Sequence, residues 1–234
     1  MSNSNHNRFV DADTWLEARK AFLDKEKAFT RQRDALSEQR RQLPMVQVTT
    51  DYTFQTDRGD ESLSQLFRNH GQLIVYHFMF GKDWSEGCSS CSLWMDNFAY
   101  VSDHLAARDT SFVVVSTADL PTLQAYKSRL GWEFDWVSCG ENSFNQDFGV
   151  TFPNQEPGPT NGYNFTGKVF GEEMPGTSVF RLFEDGAIGY SYSAYGRGLD
   201  ILNGTYNLLD LTPKGRDEDD LDYPMAWVKR RDSY

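Results

Sequence analysis

Two cysteines stand three residues apart in the stretch Gly87-Cys88-Ser89-Ser90-Cys91-Ser92. A C-x-x-C pair can exchange disulfides, bind a metal or be merely structural. Its setting favours the first. The stretch follows an apolar run of strand length and opens a helix-like one. A helix N-terminus offers unpaired N–H groups and the positive end of the macrodipole. Both stabilise a thiolate, so the Cys88 thiol is expected below the ~8.5 of a free cysteine. Cys88 is the expected attacking thiolate. Cys91, one turn into the helix, is the expected resolver of the mixed disulfide.

The metal alternative needs more donors. Structural zinc sites take four ligands, often from two close-spaced pairs, and no second C-x-x-C exists. Cys139 and the histidines His6, His70, His77 and His104 are the remaining nitrogen and sulfur donors, and no metal site is expected. His77, inside the apolar run, reads as a hydrogen-bonded core histidine. Cys139 reads as an inert small hydrophobe. Pro175, in Met174-Pro175-Gly176, has two readings: an ordinary turn ahead of a strand, or a cis-proline whose loop packs beside the cysteines. Arg197, in the aromatic and polar stretch from Tyr190 to Asp200, could bind an anionic or aromatic ligand or belong to a structural corner. No dinucleotide, P-loop or nucleophile-elbow motif is present.

These residues need a scaffold. The chain has 234 residues, 39% hydrophobic, and a net charge of -11. That is enough apolar material for a core, and the acidic balance argues against nucleic-acid and anionic-membrane partners. No apolar run is long enough to span a bilayer. The start, Met1 to Val10, is polar with no signal core, so a cytoplasmic location is expected. Residues 11 to 43 read as one long helix: Trp15, Phe22, Phe29, Leu36 and Leu43 recur every seven residues until Pro44. This arm either covers its own domain or pairs with a second subunit, which makes a homodimer through the helix a candidate.

Beyond it, Leu73 to Phe80 (LIVYHFMF) and Phe112 to Val115 read as buried strands. Ser92 to Ala107 and Leu120 to Leu130 read as helices, the second closed by Gly131. Residues 150 to 176, rich in Pro, Gly and Asn, read as an irregular insertion. Glu184-Asp185-Gly186 predicts a hairpin between Val179 to Phe183 and Ile188 to Tyr192. Leu199, Leu202, Tyr206 and Leu209 fall on one side of a further helix. Asp217 to Asp222 reads as a solvated acidic loop, and Trp227 and Val228 as a clasp for the tail. Alternating strands and helices predict an α/β layered sheet.

From about Leu43 to Leu209 the chain resembles the thioredoxin-like superfamily, its peroxiredoxin-like branch in particular. The strand LIVYHFMF with the cysteine turn matches its core. Val115-Ser116-Thr117-Ala118-Asp119 and Gly131-Trp132-Glu133-Phe134 match the next unit. Glu26-Lys27 in the arm, "HFMFGKDW…GCSSCS" and "YSYSAYGRGLD…LDLTPKGRDE" together resemble a bacterial thioredoxin-like family of unknown function. Departures matter. Thioredoxins place Trp before the first cysteine, where Gly87 stands here, and Trp84 lies three residues earlier. Of the peroxiredoxin motif, Ser85 is present but Gly81 replaces the proline.

The expected architecture is therefore a thioredoxin-like fold, a central mixed sheet flanked by helices, with a long N-terminal helical arm (1–43), a domain over 44–212 and a tail over 213–234. The expected function is a thiol–disulfide oxidoreductase with Cys88 and Cys91 catalytic. Trp84, Ser85, Met174, Pro175 and Arg197 are expected to frame the substrate. No cofactor is expected; the partners are a disulfide or peroxide substrate and a thiol reductant. A peroxiredoxin-like peroxidase and a non-enzymatic metal-binding or interaction module are the alternatives.

Overall fold

The computed structural model describes residues 9–234; His6 and most of the polar start lie outside them. Two compact units divide the chain, Met1–Pro44 and Met45–Tyr234. The first is helix α1 (Ala12–Arg41). Asp11 caps it by accepting the Thr14 N–H at 2.8 Å, and Arg40 and Arg41 face the negative end of its dipole. Trp15, Phe22, Phe29 and Leu36 of its seven-residue stripe are exposed.

The second unit carries an eight-stranded mixed sheet among the described residues, in the order β1-β8-β7-β4-β5-β6-β2-β3. Its centre is β4 (Gln72–His77), parallel to β5 (Thr110–Ser116), which is parallel to β6 (Asp135–Ser138). The hairpin β7 (Gly176–Leu182) and β8 (Ile188–Tyr195) joins antiparallel to β4. Side chains of the central strands alternate between two cores. Ile74, Tyr76, Phe112, Val114 and Trp136 pack with α2 (Ser89–Phe98) and α4 (Leu120–Leu130). Leu73, Val75, Val113, Val115 and Val137 pack on the other face with α5 (Phe144–Asp147). Burial on both faces is why these strands read as continuous apolar runs. The fold is thioredoxin-like.

Several boundaries differ from the sequence expectation. β4 ends at His77, not Phe80, because β7 begins opposite it at Gly176. Residues 78–80 bond outward instead: Phe78 N donates to Val115 O, and Met79 O accepts from Cys88 N at 3.0 Å. The helix expected over Ser92 to Ala107 starts earlier and is two helices. α2 stops after Phe98, and α3 (Ser102–Ala106) turns to pack on β5. The helix through Leu199 and Leu209 is likewise broken. Buried Asn203 ends a 3-10 stretch (Gly196–Leu202) and caps α6 (Gly204–Leu209) by accepting the Tyr206 N–H.

Three short strands were not expected. β1 (Val46–Val48) extends the hairpin edge, and β2 (Thr53–Thr56) with β3 (Gly59–Ser62) closes the opposite edge. They are only three or four residues long, too short for periodicity to announce them. α4 ends as expected, with Gly131 at φ 66°. Among the described residues no helix is long and apolar enough to cross a membrane.

Candidate active site

The sheet register gathers the site at the C-terminal end of β4. His77 lies opposite Gly176, and Gly176 opposite Tyr195. Pro175 and Gly196 therefore emerge side by side, where the chain leaving β4 turns into the cysteine loop. Gly87 lets that loop close. A Cβ there would meet the Phe78 ring at 2.6 Å and Phe80 at 3.1 Å, so the tryptophan of thioredoxins cannot occupy this position without rebuilding the turn. Gly81 is less constrained: a Cβ would lie 2.8 Å from the indole nitrogen of Trp84, whose side chain is exposed.

Cys88 is the N-cap of α2, and its sulfur accepts the Cys91 N–H at 3.4 Å. The hydrogen bond from the Cys91 thiol is the largest influence on the Cys88 thiol. Burial opposes it, but the backbone N–H groups of Cys91 and Ser90 and the charge of Arg230 add to it, and Cys88 falls to about 6. Cys91 is buried, and burial pushes its thiol well above the usual range. One thiol is thus poised as thiolate at neutral pH, while its neighbour keeps its proton. All three cysteines are free.

The tail brings a residue that the sequence reading did not single out. Arg230 donates to the Gly87 carbonyl at 2.7 Å and to the Tyr126 hydroxyl at 2.8 Å, and it pairs with Glu86 at 2.7 Å. Tyr126 in turn lies 3.0 Å from the Ser92 hydroxyl, one turn into α2. An arginine in the basic run Lys229-Arg230-Arg231, 143 residues from its partner in sequence, carries no local signal of that contact. Val228 is buried, as expected of a clasp, whereas Trp227 donates at 2.6 Å to Glu218 of the same tail.

A family model described as "Bacterial protein of unknown function (DUF899)" matches residues 4–234. The chain belongs to that family. Among curated proteins none matches it by sequence. Solved structures similar to this DUF899 chain include the peroxidoxin BcpB of Mycobacterium tuberculosis, at 15% identity and a TM-score of 0.44, covering 71% of this chain and 97% of that one. Peroxiredoxin Q of Xanthomonas campestris is similar at 16% identity and a TM-score of 0.44, over 67% and 88%. A putative thiol:disulfide interchange protein DsbE of Chlorobium tepidum is similar at 13% and 0.40, over 66% and 86%.

Of the expected site residues in this DUF899 chain, Cys88, Cys91, Pro175 and Arg197 line one cavity of about 850 Å³. Trp84, Ser85 and Met174 do not line it. Trp84 and Ser85 are exposed on the loop before the cysteines, and Met174 packs beside Val150, Phe152, Tyr163 and Tyr195. The cis reading of Pro175 is corrected: the described residues hold no cis peptide bond, and the Pro175 carbonyl accepts the Tyr163 hydroxyl at 2.7 Å. Arg197 is exposed and sits 3.4 Å from Asp200, so a carboxylate already answers its charge. The acidic run is exposed at Asp217, Asp219 and Asp220, but Glu218 is half-buried and accepts from Tyr206, Met225 and Trp227, and Asp217 to Asp220 form a wall of the cavity.

His77 is a core histidine. Its Nδ1 lies 2.9 Å from Asn145 Oδ1 and its Nε2 2.9 Å from Ser178 Oγ, and burial lowers it to about 4. Cys139 is buried against the Ser116 carbonyl, and burial pushes its thiol up to about 12. Among the described residues no three His, Cys, Asp or Glu side chains converge as metal ligands.

Proposed function

We propose that this protein is a cytoplasmic thiol–disulfide oxidoreductase. One observation carries the reading. Cys88 sits at a helix N-terminus, accepts the Cys91 N–H at 3.4 Å and has its thiol lowered to about 6 beside a resolver that keeps its proton. That asymmetry gives exchange chemistry an order. The Cys88 thiolate attacks one sulfur of a substrate disulfide, forms a mixed disulfide and expels the other sulfur as a thiolate. Cys91 then loses its proton and attacks the Cys88 sulfur. The second substrate thiolate leaves, the Cys88–Cys91 disulfide remains, and the substrate has gained two electrons. A dithiol reductant restores the pair. No step needs a bound cofactor.

The test is a redox titration of metal-free protein with thiol trapping and peptide mass analysis. A reversible Cys88–Cys91 disulfide between about -120 and -270 mV is expected, and Cys88→Ser abolishes reduction of a model disulfide. Retention of full activity by Cys88→Ser, or turnover of hydroperoxide without turnover of any disulfide, would overturn the assignment.

A further inference from the structure

The cavity over Cys88 says more about the substrate than the thiols do. At about 850 Å³ it has the size of a small-molecule site. Its floor is apolar, from Met79, Trp94 and Leu199, and Met225 of the tail segment walls it. Its rim is charged but unbalanced. Lys214 pairs with Asp217 at 2.5 Å, Arg216 with Asp200 and Asp210 at 2.8 Å each, and Arg197 with Asp200 at 3.4 Å. Every lining cation is thereby neutralised. Glu218 is committed to the Tyr206 hydroxyl and the Trp227 indole. Asp219 and Asp220 are exposed on the same wall and form no ion pair among the described residues. An anionic ligand would meet uncompensated carboxylates there.

A second observation points to a ligand independently. Tyr76 lines the cavity, is 1% exposed, and its hydroxyl makes no well-formed hydrogen bond, with the Cys91 thiol as its polar neighbour. A buried hydroxyl left without a well-formed bond is costly, and burial keeps this one protonated next to the Cys88–Cys91 pair. It is a donor waiting for an acceptor at the reacting sulfurs.

We propose, on the thiol-exchange reading above, that this cavity takes a low-molecular-weight disulfide bearing a protonated amine. Its S–S bond lies against Cys88, its amine reaches Asp219 and Asp220, and the Tyr76 hydroxyl donates to the departing thiolate. The balance is one disulfide and the two cysteine thiols giving two small thiols and the Cys88–Cys91 disulfide.

Two measurements test it. The first compares reduction of cystamine, neutral hydroxyethyl disulfide and dianionic dithiodipropionate at low ionic strength. Cystamine is expected to lead dithiodipropionate by roughly tenfold or more in kcat/KM, and the cystamine-to-hydroxyethyl ratio is expected to collapse in Asp219→Asn/Asp220→Asn. The second needs no redox turnover: calorimetric binding of 1,6-diaminohexane, the carbon isostere of cystamine, and of adipate to Cys88→Ser protein. The diamine is expected to bind more tightly, and the double variant to lose the difference. Equal binding of diamine and diacid, or a preference that survives the double variant, overturns the proposal whether or not the thiols cycle. Selective diamine binding without reduction of any disulfide would instead overturn the thiol-exchange reading, and the substrate class with it.

Discussion

At the scale of single residues, the reactivity of Cys88 is set first by the neighbouring Cys91 thiol, against the cost of burial. Its own helix supplies the N–H donors, and Arg230 supplies a positive charge from the far end of the chain. Arg230→Met removes that charge and the two bonds that hold the loop at Gly87 and Tyr126. Its pH profile of Cys88 alkylation by iodoacetamide is expected to shift upward from the wild-type midpoint near 6, while Arg230→Lys, which keeps the charge but not the forked geometry, recovers part of the shift. An unchanged midpoint in Arg230→Met would show that the Cys91 thiol and the helix N–H groups set the thiolate without the tail. Glycine at position 87 is explained at this scale too: the buried Phe78 and Phe80 rings occupy the space that a side chain would need.

At the scale of elements, two buried titratable groups tie neighbouring segments to the sheet, and their pH dependences oppose each other. Glu173 anchors the irregular 150–176 segment, accepting hydrogen bonds from Thr117 at 2.9 Å and Thr151 at 3.1 Å. Burial raises its carboxyl to about 7. The unfolded chain ionises near 4.5 while the folded one keeps its proton, so this group costs stability progressively from pH 4.5 to 7 and by a constant amount above. His77 joins β4 to α5 and β7 and is lowered to about 4. The unfolded chain binds its proton first, so this term lowers stability as pH falls from 6.5 to 4. Glu173→Gln removes the charge, keeps an acceptor oxygen for one threonine and offers the other an NH2 that donates to its hydroxyl oxygen. It is expected to raise stability at pH 8 by up to about 3 kcal/mol and to leave it unchanged at pH 4, as read from urea unfolding at the two pH values. A gain of equal size at both would assign the effect to packing rather than ionisation.

At the scale of the whole molecule, the arm is the feature with consequences for assembly. Trp15, Phe22, Phe29 and Leu36 are exposed along α1, and the helix is nearly neutral within a strongly acidic chain, with eight basic and seven acidic residues over 11–43. A seven-residue repeat with mixed charge suits pairing with a second copy of itself. Sedimentation at micromolar concentration is expected to give a dimer mass, and Phe22→Glu/Phe29→Glu a monomer whose Cys88–Cys91 titration is unaltered. A monomeric wild type would leave the stripe without this role.

The sequence by itself determined the elements whose signals are local. The arm is bounded by Asp11 and Pro44, α4 by its capping Asp119 and Gly131, and the hairpin by Asp185-Gly186, because caps and turns act within a few residues. The two central strands were legible because both their faces are buried, and the cysteine pair because strand, turn and helix N-terminus are consecutive in the chain. What only the tertiary structure decided rests on contacts between distant segments. The register of β4, β7 and β8 brings Pro175 and Gly196 to the thiols. The returning tail sets Arg230 on Gly87, and the acidic loop becomes a wall of the cavity. Trp84, Ser85 and Met174 were close to the cysteines or to Pro175 along the chain, yet the cavity is lined without them. Proximity in sequence fixes backbone conformation over a turn or two. Which side chains share a cavity depends on how the layers close, and one helix break, as at Asn203, redirects everything that follows.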